Sequence, residues 1–126
     1  MNKFKEMLIR KGFKFKVKEI EEGQVEVIFE TAVKLKDEYS EYFYLLDEVP
    51  GVIKGIEKVT IDIKVKKAKI NFNNRILEIN DIEKILDDIK EFIIEQWDFI
   101  SGTNEDELEK AIIVLKNNFK DRIAKN

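Results

Sequence analysis

The side chains best able to do chemistry in this chain are carboxylates, and they come in tight sets: Asp87-Asp88 and Glu105-Asp106-Glu107. Such sets can hold a hard cation such as Mg²⁺ through oxygen ligands, and a positioned Asp/Glu pair can serve as general acid and base. Both spacings also have a plainer reading. Asp87 and Asp88 fall on the solvated side of an amphipathic helix. Glu105–Glu107 sits where a helix begins, and negative charge there faces the positive end of the helix dipole. The plainer reading is preferred, because carboxylates are plentiful and nothing singles two of them out.

Nucleophilic chemistry fares worse. The 126 residues include no histidine and no cysteine, the side chains that most often move protons near neutral pH, attack carbonyls or bind zinc. The hydroxyls are Ser40, Ser101, Thr31, Thr60 and Thr103, none with a histidine to activate it. Ser101 precedes Gly102 and reads as a turn residue. Gly51-Val52-Ile53-Lys54-Gly55 lacks the Gly-Lys-Ser/Thr ending of a phosphate loop. The expectation is a protein that is not an enzyme, with no catalytic residue, no metal site and no cofactor.

The elements that position these residues follow from periodicity. Phe4, Met7 and Leu8 predict an amphipathic helix over Asn2–Lys11, stopped at Gly12. Phe13, Phe15 and Val17 then alternate with Lys14, Lys16 and Lys18, the pattern of a strand with one buried face. After a turn at Glu21–Gly23, apolar or β-branched residues at odd positions from Val25 to Leu35 predict a second strand and a hairpin. Asp37 can cap a helix carrying Tyr39, Tyr42, Phe43, Leu46 and Val49 as one stripe, ended by Pro50-Gly51. Tyr44 lies off that stripe, where an interface role is open to it.

Val59, Ile61, Ile63 and Val65, then Ala68, Ile70 and Phe72 across Lys66-Lys67, predict a second hairpin. Asn73-Asn74 turns the chain, and Ile76–Ile79 adds a stub of strand. Ile82 through Trp97 to Ile100 predicts a five-turn helix capped by Asn80 or Asp81, with Trp97 buried. Asn104 and Glu107 have capping-box spacing ahead of a last helix carrying Leu108, Ala111, Ile112, Leu115, Phe119 and Ile123. With no linker or repeat, residues 1–126 read as a single domain.

The order α-β-β-α-β-β-α-α predicts an α+β fold, a four-stranded antiparallel sheet with helices on one face. From Gln24 to Ile100 it resembles a ferredoxin-like fold lacking its last strand. The Phe13–Lys18 strand would fill that place at the sheet edge, a circular rearrangement of the same sheet. Within it, Leu46-Asp47-Glu48-Val49-Pro50-Gly51-Val52, Val59-Thr60-Ile61-Asp62 and Lys69-Ile70-Asn71-Phe72 are similar to heavy-metal-associated domains, the likeness running over Leu45–Asn73. Those domains bind soft metals through a Cys-x-x-Cys loop between their first strand and helix. The matching segment here, Thr31–Asp37, offers no thiol, so the resemblance implies a fold and argues against metal carriage.

Charge patterning points furthest. Lys and Arg number 23 and Asp and Glu 26, a net charge of −3, but the two signs are unevenly placed. Residues 81–126 hold 7 basic and 12 acidic side chains, and residues 1–80 hold 16 and 14. With the alternating apolar residues turned to the helices, the other sheet face gathers Lys14, Lys16, Lys18, Lys34, Lys36, Lys58, Lys64, Lys66, Lys67, Lys69 and Arg75. Against them stand Glu26, Glu30 and Asp62, with Ile28 and Ala32 as a small apolar centre.

Two readings follow. The first is a protein-interaction or assembly module whose basic face meets an acidic surface, on a partner or on another copy. The alternative is weak, sequence-tolerant nucleic-acid binding by lysines against phosphates, without the stacking aromatics that RNA-reading sheets present. The bland reading is a face made soluble and protected from edge pairing. No signal peptide or membrane span is visible, so the expected location is cytoplasmic. Abundant Lys, Glu and Ile with only two Gln suit a thermophile or an AT-rich genome, and nine Asn favour the latter.

Overall fold

Alternation of apolar and charged side chains extends the backbone into two adjacent strands, β1 (Phe15–Glu21) and β2 (Gln24–Phe29), joined at Glu22-Gly23. The computed structural model describes residues 3–12, 14–29, 47–62, 65 and 67–125. β3 (Ile56–Asp62) and β4 (Lys67–Phe72) form the second hairpin, and the strands lie in the order β1-β2-β4-β3, every neighbouring pair antiparallel. β1 thus takes a sheet edge beside β2, as expected. The crossover from β2 to the second hairpin runs through residues 30–46, outside the described residues. The helix expected from Asp37 falls there apart from Asp47 and Glu48, which are helical.

The sheet buries one face. Val25, Val27, Val59, Ala68, Ile70 and Phe72 point to it, as the period of two requires. Against it packs α2 (Ile79–Glu95), whose Ile82, Ile85, Leu86, Ile89, Phe92 and Ile93 form the apolar stripe. Ile82, Ile89, Phe92 and Ile93 are fully buried, each such side chain contributing about 1.5–3 kcal/mol. A short α3 (Trp97–Ser101) follows, then α4 (Leu108–Lys125), which reaches the same core through Leu115 and Phe119. A 3₁₀ turn at Val49–Val52 buries Val49 and Pro50 and packs against β3 and α4. The result is an α+β protein with helices on one face of a four-stranded antiparallel sheet. No helix among the described residues is long and apolar enough to cross a membrane.

Gly23 fixes the first hairpin to the rest of the sheet. Its φ is +78°, a region side chains avoid, and a Cβ there would stand 2.9 Å from the Phe72 carbonyl oxygen. The close approach is used: the Phe72 N–H donates to the Gly23 carbonyl at 2.9 Å.

Several expectations need correction. Ile76–Ile79 forms no strand; the chain turns at Asn73, and Ile79 already opens α2. Neither Asn80 nor Asp81 is the cap. Glu78 holds that position, and Asp81 reaches back to accept the Glu78 N–H at 2.8 Å, as an acidic residue at the third helical position does. The five-turn helix is broken at Gln96, whose Oε1 accepts from Asn118 Nδ2 of α4 at 3.1 Å. Trp97 and Ile100 are buried as expected, because the stripe keeps its period through the break.

The N-terminal helix, α1 (Lys3–Gly12), departs most from its pattern. Phe4 is 64% and Met7 46% exposed. Its hold on the body includes polar contacts, since Arg10 donates to Glu91 of α2 and to Glu6 within its own helix.

A candidate binding face on the open side of the sheet

The sheet face turned away from the helices is set by strand register. One row across the strands reads Lys18, Glu26, Lys69, Thr60, and the next reads Lys16, Ile28, Lys67, Asp62. Neighbouring strands lie about 4.8 Å apart and alternate residues about 6.7 Å apart. Lys16 and Lys18 therefore form one column on β1. Lys67 and Lys69 form a second, about 10 Å away across the column of β2. Glu26 lies between them and pairs with Lys67 at 3.3 Å. The four lysines, Thr60 and Asp62 are exposed, while Glu26 and Ile28 are half-buried at the centre.

Toward the far end of the sheet the face turns amide-rich. Gln24 Nε2 donates to Asn71 Oδ1 at 2.8 Å across β2 and β4. Lys58 stands opposite Asn71, at the register shift of β3.

The strand register places Lys16, Lys18, Lys67 and Lys69 on one sheet face, with Lys58 on the same sheet. Lys14 is exposed just ahead of β1 and belongs to no strand. Arg75 is misplaced by the alternation argument. It sits in the turn beyond β4, where its own N–H donates to Asn73 Oδ1 at 3.0 Å. Lys34, Lys36, Lys64 and Lys66, with Glu30 and Ala32, lie outside the described residues. The aromatics Tyr39, Tyr42, Phe43 and Tyr44 do too.

The carboxylate sets take scaffold positions. Asp87 pairs with Lys90 at 3.5 Å, and Asp88 lies 3.6 Å from Arg122. Arg122 also donates to Glu95 at 3.1 and 3.3 Å, tying α4 to α2. Those hydrogen bonds to Glu95 raise the Arg122 guanidinium pKa above its ordinary value. Glu105–Glu107 forms a 3₁₀ turn leading into α4. Among the described residues no three carboxylates gather to hold a metal ion. Asp47 has its pKa raised by partial burial and by the neighbouring Glu48 charge. Of the hydroxyls, Thr103 Oγ1 caps the end of α3 by donating to the Phe99 carbonyl at 2.8 Å.

A second concavity was not legible from spacing. Beside β1, a groove of about 630 Å³ is lined by residues 14–18 and Ile28 on one side and by Glu83, Leu86, Asp87 and Lys90 of α2 on the other. Its sequence signals are separate: an edge strand following a helix, and a leucine at the margin of the α2 stripe. Only the fold places them side by side. Comparison with protein-family models, curated proteins and solved structures finds no match.

Proposed function

We propose that this protein is an interaction module, not an enzyme, and that its open sheet face docks on an acidic surface of a protein partner. The observation that carries the reading is the pair of lysine columns flanking Ile28. Four exposed lysines surround a half-buried centre in which Ile28 is the apolar residue and Glu26 pairs with Lys67, on a hydrogen-bonded platform. An apolar centre within a charged rim is the usual anatomy of a protein interface. Complementary charge gives such a face its on-rate and its choice of partner.

Nucleic acid is the competing ligand for the same lysines. The described rows of the face carry Ile28 and Thr60 but no aromatic ring on which a base would stack. That absence favours the protein partner.

The test is an NMR titration of isotope-labelled protein with a poly-L-glutamate chain of about 20 residues and with single-stranded DNA of similar charge, at about 50 and 200 mM salt, the range over which phosphate contacts weaken steeply. The expected result is perturbed amides on β1, β2 and β4, lost in a Lys16/Lys18/Lys67/Lys69→Glu variant. Perturbation confined to other surfaces would overturn the reading. Tighter binding of DNA on the same amides would replace it with nucleic-acid recognition.

A further inference from the structure

The edge strand β3 is complementary to its own reverse. From Lys58 to Asp62 its register against β4 is regular, the shift lying ahead of Lys58. Lys58, Thr60 and Asp62 are exposed on the open face, while Val59 is buried and Ile61 half-buried on the helix face. Reversing the strand about Thr60 exchanges Lys58 with Asp62 and Val59 with Ile61. Each position then faces a residue that suits it.

The backbone is also available on that side. The Phe72 N–H turns toward β2, where it donates to Gly23. Backbone groups alternate sides along a strand, so those of Asn71, Lys69 and Lys67 turn toward Lys58, Thr60 and Asp62 of β3. Val59 and Ile61 therefore point their N–H and C=O groups away from the sheet. Among the described residues no backbone hydrogen bond reaches those groups from outside the sheet. A groove of about 580 Å³ runs past Ile56–Val59, with Gly51-Val52 and the Lys116 and Lys120 of α4 along it.

We propose that β3 pairs antiparallel with β3 of a second copy about a two-fold axis at Thr60, joining two four-stranded sheets into one. In that register Val59 of each copy exchanges both backbone hydrogen bonds with Ile61 of the other, and these β-branched side chains meet on the helix face. Thr60 faces Thr60, and each Lys58 faces the second copy's Asp62. These are the positions without backbone bonds, where facing side chains lie closest. Thr–Thr and opposite-charge pairs are both favourable there. Asp62 has an interaction within its own chain, and a carboxylate accepts more than one donor.

Charge selects both the register and the occupant. An axis at Lys58 would set that lysine against itself, and an axis at Asp62 would do the same to the carboxylate. An axis at Val59 or Ile61 takes Lys58 away from Asp62. An unrelated strand would need the same five-residue pattern, which a second copy supplies by symmetry. The two-fold axis stands normal to the sheet, so both open faces stay on one side. The interface goes beyond the proposed docking face and leaves its lysine columns uncovered.

Sedimentation equilibrium of the full chain up to about 1 mM should show a monomer–dimer equilibrium, as suits a small interface of modest affinity. Lys58→Glu and Asp62→Lys, each alone, place like charges at both ends of the pairing and should weaken it roughly ten-fold or more. In an equimolar mixture of the two variants the mixed dimer regains opposite charges at both ends. Its affinity should return to within about three-fold of the parent. Circular dichroism checks that both variants are folded. Amide exchange at Val59 and Ile61 should slow as concentration rises, while that at Thr60, already bonded to β4, should change far less.

A monomer at every concentration would overturn the proposal. So would a dimer that both variants leave intact, or a mixture that fails to recover, because another surface would then hold the copies together.

Discussion

The Phe92 ring on α2 meets the Phe119 ring on α4 at a centroid separation of 5.1 Å and an interplanar angle of 58°. Both are fully buried, and tilted pairs of this kind contribute about 0.5–1.5 kcal/mol beyond their buried area. Phe119→Ala is expected to cost about 3–5 kcal/mol, read from the shift in urea midpoint. Phe119→Leu should cost clearly less, since it keeps most of the volume. Equal losses for the two would show that the contact is governed by the rings and not by the cavity.

Arg10 makes stability depend on pH. Its guanidinium holds the Glu91 carboxyl below the ordinary glutamate value of 4.5 by hydrogen bonding, against a smaller opposing effect of partial burial. A depressed carboxylate stabilises the fold fully above its unfolded-state pKa and loses that contribution as pH falls through the lower folded value. Glu91→Gln should therefore be less stable than the parent at pH 7. The gap between their urea midpoints should begin to close below about pH 4.5. A gap that is constant down to pH 2 would show that the ion pair contributes nothing.

Two glycines should respond in opposite directions. Gly23→Ala forces a side chain into positive φ and against the Phe72 carbonyl, and should cost on the order of 1–2 kcal/mol. Gly51 is exposed, and nothing lies within 4 Å of where its Cβ would be. Gly51→Ala should stabilise by about 0.4–1 kcal/mol through the unfolded chain. Thermal melts of the two variants decide the matter.

Among the described residues, Glu26 is the one carboxylate between the lysine columns. Replacing it with glutamine keeps the shape and removes the charge paired with Lys67. Affinity for poly-L-glutamate at low salt should rise by up to roughly five-fold, because an attractive pair of about 0.2–1 kcal/mol no longer competes for the lysine. Stability should change by under about 1 kcal/mol. Unchanged affinity would place the acidic ligand elsewhere.

How much of this was legible in the residues varies with the reach of the interaction. The two hairpins and the long helix after them were, since period two at Val25–Val27 and the stripe from Ile82 to Ile93 are local signals. The lysine columns followed from the same alternation once the buried face was assigned. The break at Gln96 was not, because the stripe runs through it and its partner, Asn118, is 22 residues away. The exposure of Phe4 and Met7 was not either: a helix pattern states which side chains share a face, and only tertiary contacts state whether that face is covered. Arg75 was misplaced because alternation was carried beyond Phe72, where Asn73 had already ended the strand.

The strand order has one more consequence, for the route by which the chain folds. Within each hairpin the contacts are local, and loop-closure entropy is small. The ladder of β2 on β4 is different: Val25 pairs with Ile70 and Val27 with Ala68, joining segments more than forty positions apart. That seam closes the longest loop in the sheet, and most of its entropic cost must be met before its contacts return anything. It also sets which way the sheet faces, since a slip of one residue there would send Val25 and Val27 to the lysine side. Gly23, whose carbonyl takes the Phe72 N–H at the end of that ladder, works as a register stop.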